Sequence, residues 1–227
     1  MSFTRPFVTR RFIDYEEGDS YPHRLSIAFR AIDEFTSEPS QSEIRVMLKE
    51  IPRLRRLRNL SGHYGFEEIA PGNYTLLVEP DQLNANWFYV KPLQGPWTDT
   101  FEIPIVVVPN VLLSFDLTLS PRPSYPFPSN ATLVRGIVTQ GTPAGVANAV
   151  VGATYDQVNP QDTTQTVPKT VETLSTRDGE YVLFLNRLPQ DTQAITLTAA
   201  KDGKQTQRPE LIREGQTLKA NPLDLPV

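Results

Sequence analysis

Apolar and polar residues alternate with a period of two along most of this chain, the period of a strand with one face buried. Leu25-Ser-Ile27-Ala-Phe29-Arg-Ala-Ile32, Ile44-Arg-Val46-Met-Leu48 and Tyr74-Thr-Leu76-Leu-Val78 show it plainly. Residues 87–90, 101–108 and 113–119 complete a first set of predicted strands. After a break the pattern restarts, with strands predicted at 133–139, 150–155, 170–174, 181–185 and 194–198 and a closing stretch from Leu218 to Leu225. Gly, Pro, Asn or Asp bounds each segment, and these residues turn a chain. The Thr-, Gln- and Asn-rich stretch from Asp156 to Thr166 is expected to be loop.

The break is Ser120 to Thr132, SPRPSYPFPSNAT, with prolines at 121, 123, 126 and 128. Proline fixes φ and lacks an N–H, so this stretch can be neither a helix nor a central strand. It predicts a stiff, extended linker of the polyproline type. The chain then divides into an N-terminal arm at 1–22, a first β-domain at 23–120, the linker at 121–132 and a second β-domain at 133–227.

The two halves repeat one order of features at a spacing of about 110 residues. A strand leads to a Pro turn (Pro39; Pro143), a second strand, a Gly-aromatic strand, another Pro turn (Pro71; Pro189) and an apolar strand. In this comparison Gly65-Phe66 falls opposite Gly179-Glu180-Tyr181. Asp178-Gly179 reads as a tight turn, with Tyr181 either pointing into a core or capping an edge with its hydroxyl. Short strands separated by turn signals specify antiparallel sandwiches. The expected fold class is all-β: two tandem antiparallel Ig-like or transthyretin-like β-sandwiches joined by a Pro-rich linker.

The motif of the second half also carries a family resemblance. It reads Val134-Arg-Gly136-Ile-Val138, Gly141-Thr-Pro143, Ala147-Asn-Ala149-Val150-Val151, Thr176-Arg-Asp178-Gly179-Glu-Tyr181 and Leu188-Pro189. This resembles the carboxypeptidase regulatory-like, transthyretin-like domain family over residues 133 to 225. The first half matches through Gly65-Phe66, Pro71-Gly72-x-Tyr74 and strand order. The resemblance implies a seven-stranded sandwich without intrinsic activity, serving as an accessory, adhesive or assembly module.

Composition limits the chemistry. There is no cysteine, hence no disulfide, thiolate metal site or cysteine nucleophile. The two histidines, His23 and His63, stand in no metal-ligand spacing. Transthyretin-like hydrolases use a His/Arg cluster and a Tyr-Arg-Gly-Ser tail. Here the second half has no His and the chain ends Leu-Asp-Leu-Pro-Val. The related intradiol dioxygenases hold iron with two Tyr and two His, and this pair lacks that context. Nucleophile-elbow, phosphate-loop and dinucleotide motifs are missing. Asp156, Asn159 and Asp162 lack the Gly and terminal Glu of a calcium loop. The expectation is no catalytic residue, no cofactor, no metal and no small-molecule substrate.

Charge and apolar outliers suggest partners instead. Residues 1–120 hold 12 Lys+Arg against 16 Asp+Glu, and residues 121–227 hold 10 against 10. That balance argues against nucleic acid as a partner. No segment approaches the roughly 18 apolar residues of a membrane span, and the first 18 residues lack the apolar run of a signal peptide. A cytoplasmic protein is expected. Arg53, Arg55, Arg56 and Arg58 make the sharpest charge run, and Phe3, Phe7 and Phe12 make the arm apolar. These seven are the candidate partner-docking residues; the arm packs either on its own domain or, as an added strand, on another subunit. Trp87, Tyr89 and Trp97 are candidate exposed rings for a glycan. The reading is a non-enzymatic structural subunit bound to other protein subunits of a cytoplasmically assembled complex. A baseplate or tail component of a phage-tail-like contractile particle is the specific case; a carbohydrate- or polymer-binding adhesion module is the alternative.

Overall fold

Period-two patterning becomes strand throughout: among the described residues there are sixteen strands and no helix. The computed structural model describes residues 24–40, 44–59, 62–80, 88–91 and 102–227.

The first sandwich contains β1 (Leu25–Asp33), β2 (Ile44–Leu48), β3 (Leu57–Arg58), β4 (His63–Glu67), β5 (Gly72–Pro80), β6 (Phe88–Val90), β7 (Glu102–Val107) and β8 (Leu113–Pro121). One sheet runs β3-β4-β1-β8-β6 and the other β2-β5-β7. The second sandwich contains β9 (Thr132–Thr139), β10 (Val150–Val158), β11 (Thr166–Leu174), β12 (Glu180–Leu185), β13 (Thr192–Lys201), β14 (Lys204–Arg213), β15 (Thr217–Lys219) and β16 (Leu223–Asp224). Its sheets run β11-β10-β13-β14 and β12-β9-β15, with β16 also on β9.

The two sandwiches share one wiring. β1 is antiparallel to β4 and parallel to β8; β9 is antiparallel to β12 and parallel to β15 and β16. β2-β5-β7 corresponds to the antiparallel β10-β13-β14. One element differs. β11 lies on β10, whereas the short β3 between β2 and β4 crosses to β4. Each sandwich has its own core, around Ile27, Phe29, Phe66, Leu76 and Leu117 in the first and Val134, Val151, Leu183, Leu197 and Leu223 in the second. Burying each such side chain contributes about 1.5–3 kcal/mol.

The repeated phrase is a turn, and the structure aligns it three residues earlier than the sequence does. Thr176 N–H donates to Glu180 O at 2.8 Å, Gly179 N–H to Thr176 O at 2.9 Å, and Glu180 N–H to the Thr176 hydroxyl at 3.2 Å. In the first half Asn59 N–H donates to His63 O at 3.0 Å, Gly62 N–H to Asn59 O at 3.2 Å, and His63 N–H to Asn59 Oδ1 at 2.8 Å. Gly62 at φ 75° and Gly179 at φ 78° take the left-handed position that glycine adopts without strain. The buried ring two residues on is Tyr64 in one copy and Tyr181 in the other. Gly65 therefore does not match Gly179: it lies inside β4 opposite Ala28. Tyr64 stacks on Phe29, with centroids 5.4 Å apart. Tyr181 instead faces Gly136 across β9 and β12, so its ring lies over bare backbone.

Three other expectations change. β14, not anticipated, alternates polar residues and is held by the hairpin turn Asp202-Gly203, both at positive φ. β10 extends to Val158 and β11 begins at Thr166, so part of the expected loop is strand. The Pro-rich stretch is not an extended rod. Pro121 ends β8, and Tyr125 N–H donates to Arg122 O, Phe127 N–H to Tyr125 O and Ala131 N–H to Pro128 O, folding the rest into turns.

Strand direction sets where the ends lie. β1 starts beside Asn110, whose side chain accepts from Arg24, and finishes at Asp33 against Tyr125 of the linker. β9 starts at the linker and finishes at Thr139, bonded to Asp224. The chain therefore enters the first sandwich at one tip and leaves the second at the opposite tip.

Candidate functional site

Among the described residues, a cluster of aromatic rings gathers at the junction between the sandwiches. Phe35 follows β1, Phe127 belongs to the linker and Phe184 to β12, and all three pack on Ala131, Leu133 and Val182. Phe35 meets Phe127 at 5.1 Å, Phe184 at 5.5 Å and Tyr125 at 5.8 Å, centroid to centroid. Tyr125 also meets Phe127 at 4.6 Å and Phe88 at 5.3 Å. Four of these five contacts are edge-on and the fifth is tilted. Such edge-on geometry sets the positive rim of one ring against the negative face of another.

Polar contacts pin the same rings. The Tyr125 hydroxyl donates to Asp33 Oδ2 at 2.7 Å, while Asp33 Oδ1 accepts from Phe35 N–H at 2.9 Å. Burial and the neighbouring Asp33 carboxylate push the Tyr125 hydroxyl well above its ordinary pKa, so it stays a donor. Arg135 of β9 donates to Pro123 O at 2.7 Å and lies 5.7 Å from the Phe127 ring centre. Arg122 lies 4.1 Å from the centre of the Tyr89 ring. The linker is thus tied to the first sandwich by Arg122 and Tyr125, and to the second by Phe127 and the reach of Arg135. The arrangement is ring packing and hydrogen bonding that joins the linker to both sandwiches.

The predicted docking residues fare differently from one another. Arg56 is half-buried and donates to Ile44 O at 3.3 Å, and Arg58 lies 5.4 Å from the Tyr64 ring centre. These two serve the edge and rim of their own sandwich. Arg53 and Arg55 stand exposed. Tyr89 is only 3% exposed, on β6 beneath Arg122, and so is no ring open to a glycan. Its position in a strand, facing Ser120 of β8, is what buries it. Phe3, Phe7, Phe12, His23, Trp87 and Trp97 lie outside the described residues. His63 sits beside Arg30, which forms a bidentate pair with Asp116 at 2.8 and 2.6 Å. Desolvation and the Arg30 charge lower the imidazole pKa, partly offset by Asp116. No group of three His, Cys, Asp or Glu suited to a metal ion occurs among the described residues.

Sequence reasoning missed the junction because its members are scattered over β1, β6, the linker and β12. The signal was present in Tyr125 and Phe127, rings placed between prolines where a solvated spacer has no use for them.

No family model matches the chain, and no curated protein is detectably similar to it. Among solved structures it is similar to the TIE protein of Bacillus anthracis, at 14% identity and a TM-score of 0.30, over 91% of this chain and 34% of that one. It is similar to a streptococcal ancillary pilin at 12% identity and a TM-score of 0.28, over 93% and 73% of the two chains. It is also similar to the shaft pilin SpaA of Lactobacillus rhamnosus GG at 6% identity and a TM-score of 0.28, over 90% and 97%. The chain spans about a third of the Bacillus anthracis protein it matches.

Proposed function

We propose that this chain is a non-enzymatic structural subunit, a two-sandwich spacer that holds its two tips at a set distance and angle within a larger protein assembly. The carrying observation is the junction, where Phe35, Tyr125, Phe127 and Phe184 interlock rings from both sandwiches and the linker. A flexible tether needs no such rings. Entry and exit of the chain at opposite tips suit a spacer, and the apolar residues Phe3, Phe7 and Phe12 then act as an anchor at one end. We place it with other protein subunits in a complex assembled in the cytoplasm. The baseplate or tail of a phage-tail-like contractile particle is the case suggested by its resemblance to carboxypeptidase regulatory-like modules.

Sedimentation of the endogenous protein tests this. The full-length chain is expected in a high-mass particle, and deletion of residues 1–20 is expected to release it as a free monomer with both sandwiches folded. An endogenous protein that sediments as a free monomer overturns the proposal.

A further inference from the structure

A sandwich of open sheets has edges, and each edge offers unpaired N–H and C=O groups to a second copy. Among the described residues β7, β11 and β14 each have a single hydrogen-bonded neighbour strand. They hold 6, 9 and 10 residues, long enough to template an added strand. Each contains one exposed proline: Pro104, Pro168 and Pro209.

The register shows where each proline nitrogen points. In an antiparallel ladder, residues alternate between pairs bonded to each other and pairs whose backbone groups face away. Pro104 is opposite Thr75. Thr75 O accepts from Lys49 N–H at 2.9 Å, and Thr75 N–H donates to the Glu50 carboxylate at 2.9 and 3.0 Å. Thr75 is therefore committed away from β7, so the Pro104 nitrogen faces the open edge. Pro168 is opposite Asp156, whose carbonyl accepts from Gln193 of β13 at 3.0 Å. The same argument turns the Pro168 nitrogen outward. Pro209 is opposite Thr196 in the hairpin closed by Lys201 and Lys204. Counting alternate pairs from a two-residue turn puts it at an outward position too.

Two other edges are partly occupied by different means. At β2, Arg56 and the Tyr64 hydroxyl approach Ile44 O and N at 3.3 and 3.5 Å, and Leu48 O accepts from Ile51 N–H at 3.1 Å. At β12, Glu180 is bonded within its turn, and Val182 and Phe184 face the junction.

We infer that Pro104, Pro168 and Pro209 are edge blocks that keep this chain from pairing, strand to strand, with second copies of itself. Each removes a donor at an outward ladder position and places a ring where an incoming strand would lie. All three sit at outward positions, where proline costs no internal ladder bond. The strand addition expected from sequence is thereby closed at these three edges.

The test replaces the prolines singly and together (Pro104→Val, Pro168→Val, Pro209→Val) in the full-length chain. Sedimentation equilibrium then compares each variant with the wild type, and Pro128→Val in the linker serves as control. The expected result is a self-association constant raised about tenfold or more for at least the Pro168 and Pro209 variants, on the longest edges. Circular dichroism is expected to show added strand signal as association proceeds, with the control unchanged. Folded single variants that associate no more than the wild type overturn the inference, and so does an equal rise in the control. The single variants decide the matter even where the triple variant fails to fold.

Discussion

Replacing Phe35 with Ala removes the ring that touches three others at the junction, those of Tyr125, Phe127 and Phe184. Aromatic pairs of this geometry contribute about 0.5–1.5 kcal/mol each beyond area burial, so the loss sums to roughly 1.5–4.5 kcal/mol. Phe35 belongs to neither of the two large cores, so the loss falls on the coupling between sandwiches. Calorimetry provides the assay. The wild type is expected to unfold in one cooperative transition, and Phe35→Ala in two, one per sandwich. Phe184→Ala approaches the same contact from the second sandwich. The double variant should therefore cost about 0.5–1.5 kcal/mol less than the two single costs added, the size of the shared ring pair. A single unshifted transition in Phe35→Ala, or strict additivity with Phe184→Ala, refutes the reasoning.

Tyr181 and Gly136 give opposite signs: the buried Tyr181 hydroxyl has no partner among the described residues, so Tyr181→Phe should raise denaturant stability by about 1 kcal/mol. Gly136→Ala sets a methyl 2.6 Å from that hydroxyl and 2.8 Å from the ring, and should cost about 1–3 kcal/mol in the same titration. Arg56→Ala should cost about 1 kcal/mol by releasing Ile44 O, whereas Arg53→Ala should stay within about 0.5 kcal/mol by thermal melting. The lowered pKa of His63 means that the unfolded chain binds its proton first as pH falls. His63 should therefore subtract stability below the ordinary imidazole value of about 6.5 and nothing above it. His63→Gln should flatten that decline in urea midpoints measured between about pH 5 and 7.

Most strands were legible because burial on one face writes itself into alternate residues, as in β7, where Ile103, Ile105 and Val107 are buried and their neighbours exposed. β14 was not, because a strand at a sheet edge with polar residues on both faces carries no hydrophobic alternation; only Asp202-Gly203 announced it. The repeat was visible, but its register slipped. Gly65 and Phe66 imitate the wording of Gly179 and Tyr181, whereas the turn geometry resides in Asn59, Gly62 and Tyr64. Arg56 and Arg58 read as a surface charge run because sequence cannot show that one reaches the end of β2 and the other a ring of β4. The sequence shows proline as a strand breaker but not as a guard of edges. That role depends on which way a ladder position faces, which only register reveals.

Because the chain has no cysteine, spin labels can be placed at one site per tip, through Val111→Cys beside the start of β8 and Arg177→Cys in the turn before β12. Both positions are exposed. A distance distribution by pulsed electron resonance then reports directly whether the junction locks the two sandwiches. A spacer predicts one narrow peak in the wild type that broadens in Phe35→Ala. A broad or multiple distribution in the wild type, unchanged by Phe35→Ala, contradicts the account.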